Sequence, residues 1–275
     1  MTDKGLGAFS LVIFDWAGTM VDFGCRAPVA ALVEAFARHG VRLDEAAARA
    51  DMGKAKIDHV RALLARPEVR AAWIMATGAA PSEADVVALM DDLGPLMREA
   101  AAEAAELIPG AAETAAGLRA AGLKVGSSTG YTREMMAPVL AQAAAQGYAP
   151  DHLVCSGETP EGRPSPLMIY KACAELGVWP LARVVKVDDA EAGIAEGRAA
   201  GCFTVGVSAS GNGIGLSRSE FAALDPAERG RRLASAEASL KAAGADLVIE
   251  TVADLIPALN RMAARETADA GKPGR

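Results

Sequence analysis

The chain has 275 residues, about half of them apolar, so it can bury a substantial core and build either one large domain or a core with a smaller insert. A net charge of -7 excludes a broadly basic nucleic-acid surface, and no stretch approaches the ~20 apolar residues of a membrane span. Cysteines 25, 155, 173 and 202 form no Cys-x-x-Cys pair, which argues against a zinc site or a disulfide framework. With no signal-peptide-like run before Asp15, the expectation is a cytoplasmic protein with a small-molecule substrate and no nucleic-acid or membrane partner.

The first predicted element is a buried parallel strand, Leu11-Val12-Ile13-Phe14, which delivers Asp15 to a strand's carboxyl end, where open α/β sheets place their ligands. The segment Asp15-Trp16-Ala17-Gly18-Thr19 has the pattern Asp-x-x-Gly-Thr. It resembles the nucleophile loop of the haloacid dehalogenase superfamily, whose members transfer phosphoryl groups through an aspartyl-phosphate. Taken alone, the pattern also suits a strand-to-turn junction in which Asp15 satisfies loop amides.

From about Ala27 to Glu106 the chain is rich in Ala, Leu, Glu, Arg and Met, with turn signals at Gly40, Pro67, Gly78 to Pro81 and Gly94-Pro95. This reads as a helical insert. Strands are then predicted at Leu123 to Thr129, His152 to Cys155, Arg183 to Asp189, Phe203 to Val207 and Asp246 to Glu250, with helices between several of them. The alternation predicts an α/β fold: a doubly wound, mostly parallel sheet core with an inserted α-helical cap. The expected division is a Rossmann-like core over 1–24 and 104–264, a cap over 25–103 and a flexible tail over 265–275. The Gly211 to Gly215 stretch superficially suggests a dinucleotide loop but opens no βαβ unit near the first strand, and it reads as a surface loop.

The later strand ends complete a phosphoryl-transfer pattern. Thr129, before Gly130, offers a hydroxyl and neighbouring amides to a phosphoryl oxygen, or else caps a helix. Arg163 is flanked by the stiffening Pro164 and Pro166, which suits a fixed phosphate-facing role. Asp188 and Asp189 end a strand, as expected of carboxylates that hold magnesium beside the nucleophile. Four such signals in this chain order are hard to assemble by chance.

Position 17 then bears on the leaving group. Superfamily phosphatases usually carry an acid two residues after the nucleophile to protonate an alkoxide, and here that residue is Ala17. Carbon can leave phosphorus without such an acid if a protonated imine accepts the electrons as an enamine, which requires a lysine and an aldehyde. Lys54 and Lys56 both lie in the insert, and spacing alone does not choose between them.

The segments Phe14 to Thr19, Val21 to Pro28, Met52 to Leu63, Ser128 to Met136 and Gly162 to Pro166 together resemble the phosphonoacetaldehyde hydrolase family of that superfamily, over most of residues 9 to 260. The resemblance implies cleavage of the phosphorus-carbon bond of phosphonoacetaldehyde to acetaldehyde and phosphate, in 2-aminoethylphosphonate degradation. It implies Asp15 as nucleophile, Lys56 as the Schiff-base lysine, Thr129 and Arg163 toward the phosphate, Mg2+ on Asp15, the Ala17 carbonyl and Asp189, and a homodimer formed through the cap. Cys25 and Met52 fall near the substrate by the same resemblance; His59, one helical turn beyond Lys56, suits a proton shuttle or tuning of the lysine, and Tyr131 suits orienting substrate from the core loop, with packing roles as the alternative for all four. One departure stands out. Gly193 occupies a position where some members have a further acid, which leaves Asp188 as the candidate to supply that carboxylate.

Overall fold

The computed structural model describes residues 6–270, with side chains described through residue 262. Its sheet contains β1 (Leu11–Phe14), β2 (Lys124–Thr129), β3 (His152–Cys155), β4 (Val184–Asp188), β5 (Phe203–Val207) and β6 (Leu247–Ile249). All pair in parallel, in the order β3-β2-β1-β4-β5-β6. The predicted strands recur here to within a residue or two, and the doubly wound class holds.

Alternation within β1 shows why both sheet faces are covered. Val12 and Phe14 enter one apolar cluster, and Leu11 and Ile13 enter the other, all without exposed surface. Each such burial is worth about 1.5–3 kcal/mol, so a strand apolar on every residue is stable only between two layers of helix. The helices following the insert are α6 (Ala111–Ala120), α7 (Arg133–Ala145), α8 (Leu167–Leu176), α9 (Glu191–Ala200), α10 (Arg218–Ala222), α11 (Pro226–Ala242) and α12 (Leu255–Ala270). Helices α8, α9 and α11 pack along one face, and α6 with α12 covers the other. Of the tail expected over 265–275, residues to 270 continue α12, and 271–275 lie outside the described residues.

The insert is helical throughout: α1 (Ala27–Arg38), α2 (Glu45–Arg49), α3 (Lys56–Ala65), α4 (Pro67–Thr77) and α5 (Glu83–Glu103). Pro67 begins α4 at the position where a missing N–H costs nothing, and Gly78 ends it in the left-handed conformation. The turn expected at Gly94-Pro95 is absent, since α5 runs through both residues. Val86, Leu89, Leu93, Met97 and Ala101 are buried along one face of α5, which packs on α1 and on the core helix α7. That burial outweighs the one intrahelical hydrogen bond the proline removes.

Strand order reverses between β1 and its two neighbours, β2 on one side and β4 on the other. A crevice therefore opens at the carboxyl ends of these three strands, where Asp15, Thr129 and Asp188 emerge. The helical insert closes over it. Because α5 ties the insert to the core, Leu93→Ala is expected to cost about 2–5 kcal/mol in urea-induced unfolding.

Candidate active site

One small cavity gathers the expected residues. Asp15, Ala17, Thr129, Arg163 and Asp189 line it from the core, and Cys25, Met52 and Lys56 line it from the insert and its first linker. Its volume is about 20 Å³, roughly the room one water requires. Tyr131 closes one side.

The sheet supplies the acidic wall. Asp15 donates its backbone N–H to the Val187 carbonyl at 3.0 Å, which locks the loop after β1 to β4. This juxtaposition brings ligand oxygens of Asp15, Asp188 and Asp189 within 4.8 Å of one another, all on buried residues. Burial and repulsion from Asp188 push the Asp15 carboxyl up to about 6, against the opposing pull of Arg163 and Lys186. Burial, followed by Asp15 and Asp188, raises Asp189 well above the usual carboxylate range. Three crowded, desolvated carboxylates form an all-oxygen donor set that fits a hard divalent cation, which would relieve the repulsion. Ala17 borders the same space.

Arg163 has no exposed side-chain surface. Its Nη1 donates to Asp15 Oδ1 at 2.7 Å, its Nε to Glu196 Oε2 at 2.9 Å, and its Nη2 to the Ser128 carbonyl at 2.6 Å. It also lies 3.3 Å from Asp188 Oδ2. A guanidinium bound on all its edges is fixed in direction, and a change to lysine would not reproduce that geometry. The Thr129 hydroxyl accepts the Tyr131 backbone N–H at 3.2 Å, so it organises the turn after β2; the cap of α7 comes instead from Thr132.

Lys186 and Glu196 extend this network and escaped the sequence reading. Lys186 Nζ sits 2.9 Å from Asp188 Oδ2, 3.4 Å from Glu196 Oε2 and 2.9 Å from Ser128 Oγ, with both charged residues fully buried. The available signal was a lysine between valines in a strand buried on both faces, a charge that must find a partner. Gly197 leaves space for it: a Cβ there would stand 2.8 Å from Lys186 Cβ.

The insert supplies the amine. Lys56, at the first residue of α3, is 3% exposed. Its Nζ reaches Met52 Sδ at 3.9 Å and lies 5.4 Å from the centre of the Tyr131 ring. Burial lowers the Lys56 pKa to about 8, with Cys25 and Asp15 opposing, and the Met52 thioether and Tyr131 ring occupy space that water would otherwise fill. Lys54 behaves differently: its Nζ pairs with Asp51 at 2.6 Å, and it borders an outer cleft. His59 is fully buried, and burial together with the nearby Lys56 holds its pKa to about 3, so its ring stays neutral near pH 7.

Gly193 explains where its missing acid went. A Cβ at this position would fall 1.8 Å from Asp188 Oδ2, so the Asp188 carboxylate fills the space a side chain at 193 would need.

Comparison with known proteins agrees with this geometry. The haloacid dehalogenase-like hydrolase family matches residues 9–201. A phosphonoacetaldehyde hydrolase of Paraburkholderia phytofirmans is 49% identical over 254 residues, covering 92% of this chain and 95% of that protein. The chain belongs to the phosphonoacetaldehyde hydrolase family. It is therefore a hydrolase of the haloacid dehalogenase type. Another member, from Bacillus cereus, is 41% identical over 93% of this chain and 97% of its own length. The crystal structure of a phosphonoacetaldehyde hydrolase-like protein from Oleispira antarctica superposes with a TM-score of 0.91 at 41% identity, covering 98% and 97% of the two chains.

Two outcomes test the site's energetics. Lys56 has a folded pKa below its ordinary 10.5, so the folded chain holds fewer protons between about 8 and 10.5 and its stability rises with pH across that window. Lys56→Met is expected to stabilise the protein at pH 7 by up to about 3 kcal/mol, with the gain shrinking as pH climbs through that window in urea titrations. Gly193→Ala is expected to expel the Asp188 carboxylate from its place beside Arg163 and Lys186 and to cost about 3–5 kcal/mol in the same assay.

Proposed function

We propose that the chain hydrolyses the phosphorus-carbon bond of phosphonoacetaldehyde, using Lys56 to form an imine and Asp15 to accept the phosphoryl group. The observation that carries this reading is the placement of a buried amine of lowered pKa in the same closed cavity as a strand-end carboxylate, with no acid at position 17. A phosphomonoesterase has no use for that amine and needs the missing acid.

In this chemistry the neutral Lys56 amine attacks the aldehyde carbon, water leaves, and a protonated imine results. An Asp15 oxygen then attacks phosphorus. The phosphorus-carbon bond breaks, and its electron pair forms the double bond of an enamine while neutralising the iminium nitrogen. Protonation of the terminal carbon regenerates an imine, which water cleaves to acetaldehyde and the free amine. A second water attacks the phosphorus of the aspartyl-phosphate and releases inorganic phosphate, so one water is consumed overall.

Arg163 holds Asp15 in direction and faces the phosphoryl oxygens, with Thr129 at the neighbouring strand end. Tyr131 and Met52 keep the amine poorly solvated. Asp15, Asp189 and the Ala17 carbonyl would hold Mg2+, with Asp188 as the further carboxylate, and the ion would offset charge on the phosphoryl group. The same reading places the enzyme in the cytoplasm as a homodimer, in degradation of 2-aminoethylphosphonate.

Incubation with phosphonoacetaldehyde and Mg2+, borohydride reduction and peptide mapping is expected to give a two-carbon adduct on Lys56. Its rate of formation should rise with pH and level off above about 8, as the amine becomes neutral. Phosphate release with no adduct would overturn the imine route.

A further inference from the structure

The glycine-rich loop after β5 has no part in the chemistry described above, yet it touches the nucleophile loop, the first linker, Asp189 and the insert. Ser210 Oγ donates to the Gly18 carbonyl in the nucleophile loop at 2.7 Å, and the Ser210 carbonyl accepts the Gly24 N–H in the first linker at 2.7 Å. The Asn212 N–H donates to Asp189 Oδ2 at 2.7 Å. From the insert, Arg49 reaches down: its Nη1 donates to Gly24 O at 3.0 Å and to Asn212 Oδ1 at 3.2 Å, and its Nη2 to Gly215 O at 3.2 Å. Asn212 Nδ2 returns a bond to the Arg49 carbonyl at 3.1 Å.

The loop's glycines follow from this closeness. A Cβ at Gly215 would stand 2.9 Å from Arg49 Cζ, and one at Gly211 2.7 Å from Asp189 Cβ. Gly215 also has a φ of +69°, which side chains rarely adopt.

We propose that Arg49 and Asn212 are positioning residues that couple seating of the cap to the placement of Asp189. Asn212 has two ends: its backbone N–H fixes the Asp189 carboxylate, and its side-chain amide exchanges two hydrogen bonds with one cap residue. A cavity of about 20 Å³ is too small for a seven-heavy-atom phosphonate, so the wall shared by cap and core has to shift to admit substrate, and in this proposal the cap lifts and then reseats. Lifting removes Arg49 from Asn212 and frees the loop that holds Asp189; reseating restores both together. The inference rests on the reading that Asp189 serves phosphoryl chemistry beneath the cap.

The test uses the full chain with Arg49→Ala, Asn212→Ala, the double variant and Arg49→Lys. It reads amide hydrogen exchange over residues 48–60 and 208–216, and Mg2+ affinity by calorimetry. Each alanine variant is expected to speed exchange in both segments about tenfold, as loss of hydrogen bonds to a charged group implies. The double variant should add little to either single one. Arg49→Ala should also weaken Mg2+ binding severalfold, although Arg49 touches none of the carboxylates, and a merely structural contact would leave that affinity unchanged. If Arg49→Ala does not fold, Arg49→Lys, which keeps the charge without the fork, is expected to fall between wild type and Asn212→Ala. Wild-type exchange over 208–216 and unchanged Mg2+ affinity in the Arg49 variants would overturn the proposal. Neither readout needs the phosphonate, so a wild-type enzyme that left phosphonoacetaldehyde intact would count against the substrate reading and not against this coupling.

Discussion

The arrangement depends on one buried charge cluster. Arg163 and Lys186 are shared among Asp15, Asp188 and Glu196 at the carboxyl ends of the central strands, with almost no exposure to water. Breaking any single pair in such a place would leave an uncompensated charge, at a cost of about 3–5 kcal/mol. The cluster therefore fixes the direction of the Asp15 carboxylate before any ligand arrives. With Asp189 counted, carboxylates outnumber cations in the core wall, and the excess negative charge is what a divalent metal would balance.

Core and cap divide the electrostatic labour in opposite senses. The core holds charges in place with other charges, which keeps Arg163 protonated and Asp15 oriented. The cap does the reverse with Lys56, burying its amine away from water and so favouring the neutral form. Bringing the two environments into one cavity requires closure, and closure leaves almost no room for water.

Much of this was legible in the chain. Strand-end acids such as Asp15 and Asp189 follow from apolar runs that stop abruptly at a carboxylate, and the sheet places both where that pattern puts them. The choice between Lys54 and Lys56 was not legible from spacing, because Lys54 lies in the turn before α3, where a local partner, Asp51, holds it outside, while Lys56 opens the helix and is buried. Glu196 was missed because a helical acid looks like a surface residue until its partners Lys186 and Arg163, distant in sequence, are brought beside it; Lys186 carried a signal in its flanking valines but no partner to read it against. The Gly94-Pro95 turn failed for a related reason, since the packing of Leu93 and Met97 overrode a local breaker signal. Gly193 read as a loss, whereas the three-dimensional arrangement makes it the condition for Asp188 to occupy that space.

The cysteines acquire a different meaning once folded. All four are free and buried, and burial raises the pKa of each. The thiolate is the form that oxidants and alkylating agents attack, so the native fold itself shields these side chains, whatever the redox poise around it. Oxidative damage to this protein would then begin in molecules that have opened or unfolded. Cys25, which lines the cavity between cap and core, is the thiol that cap opening would uncover, while Cys155, Cys173 and Cys202 belong to the sheet and its helices.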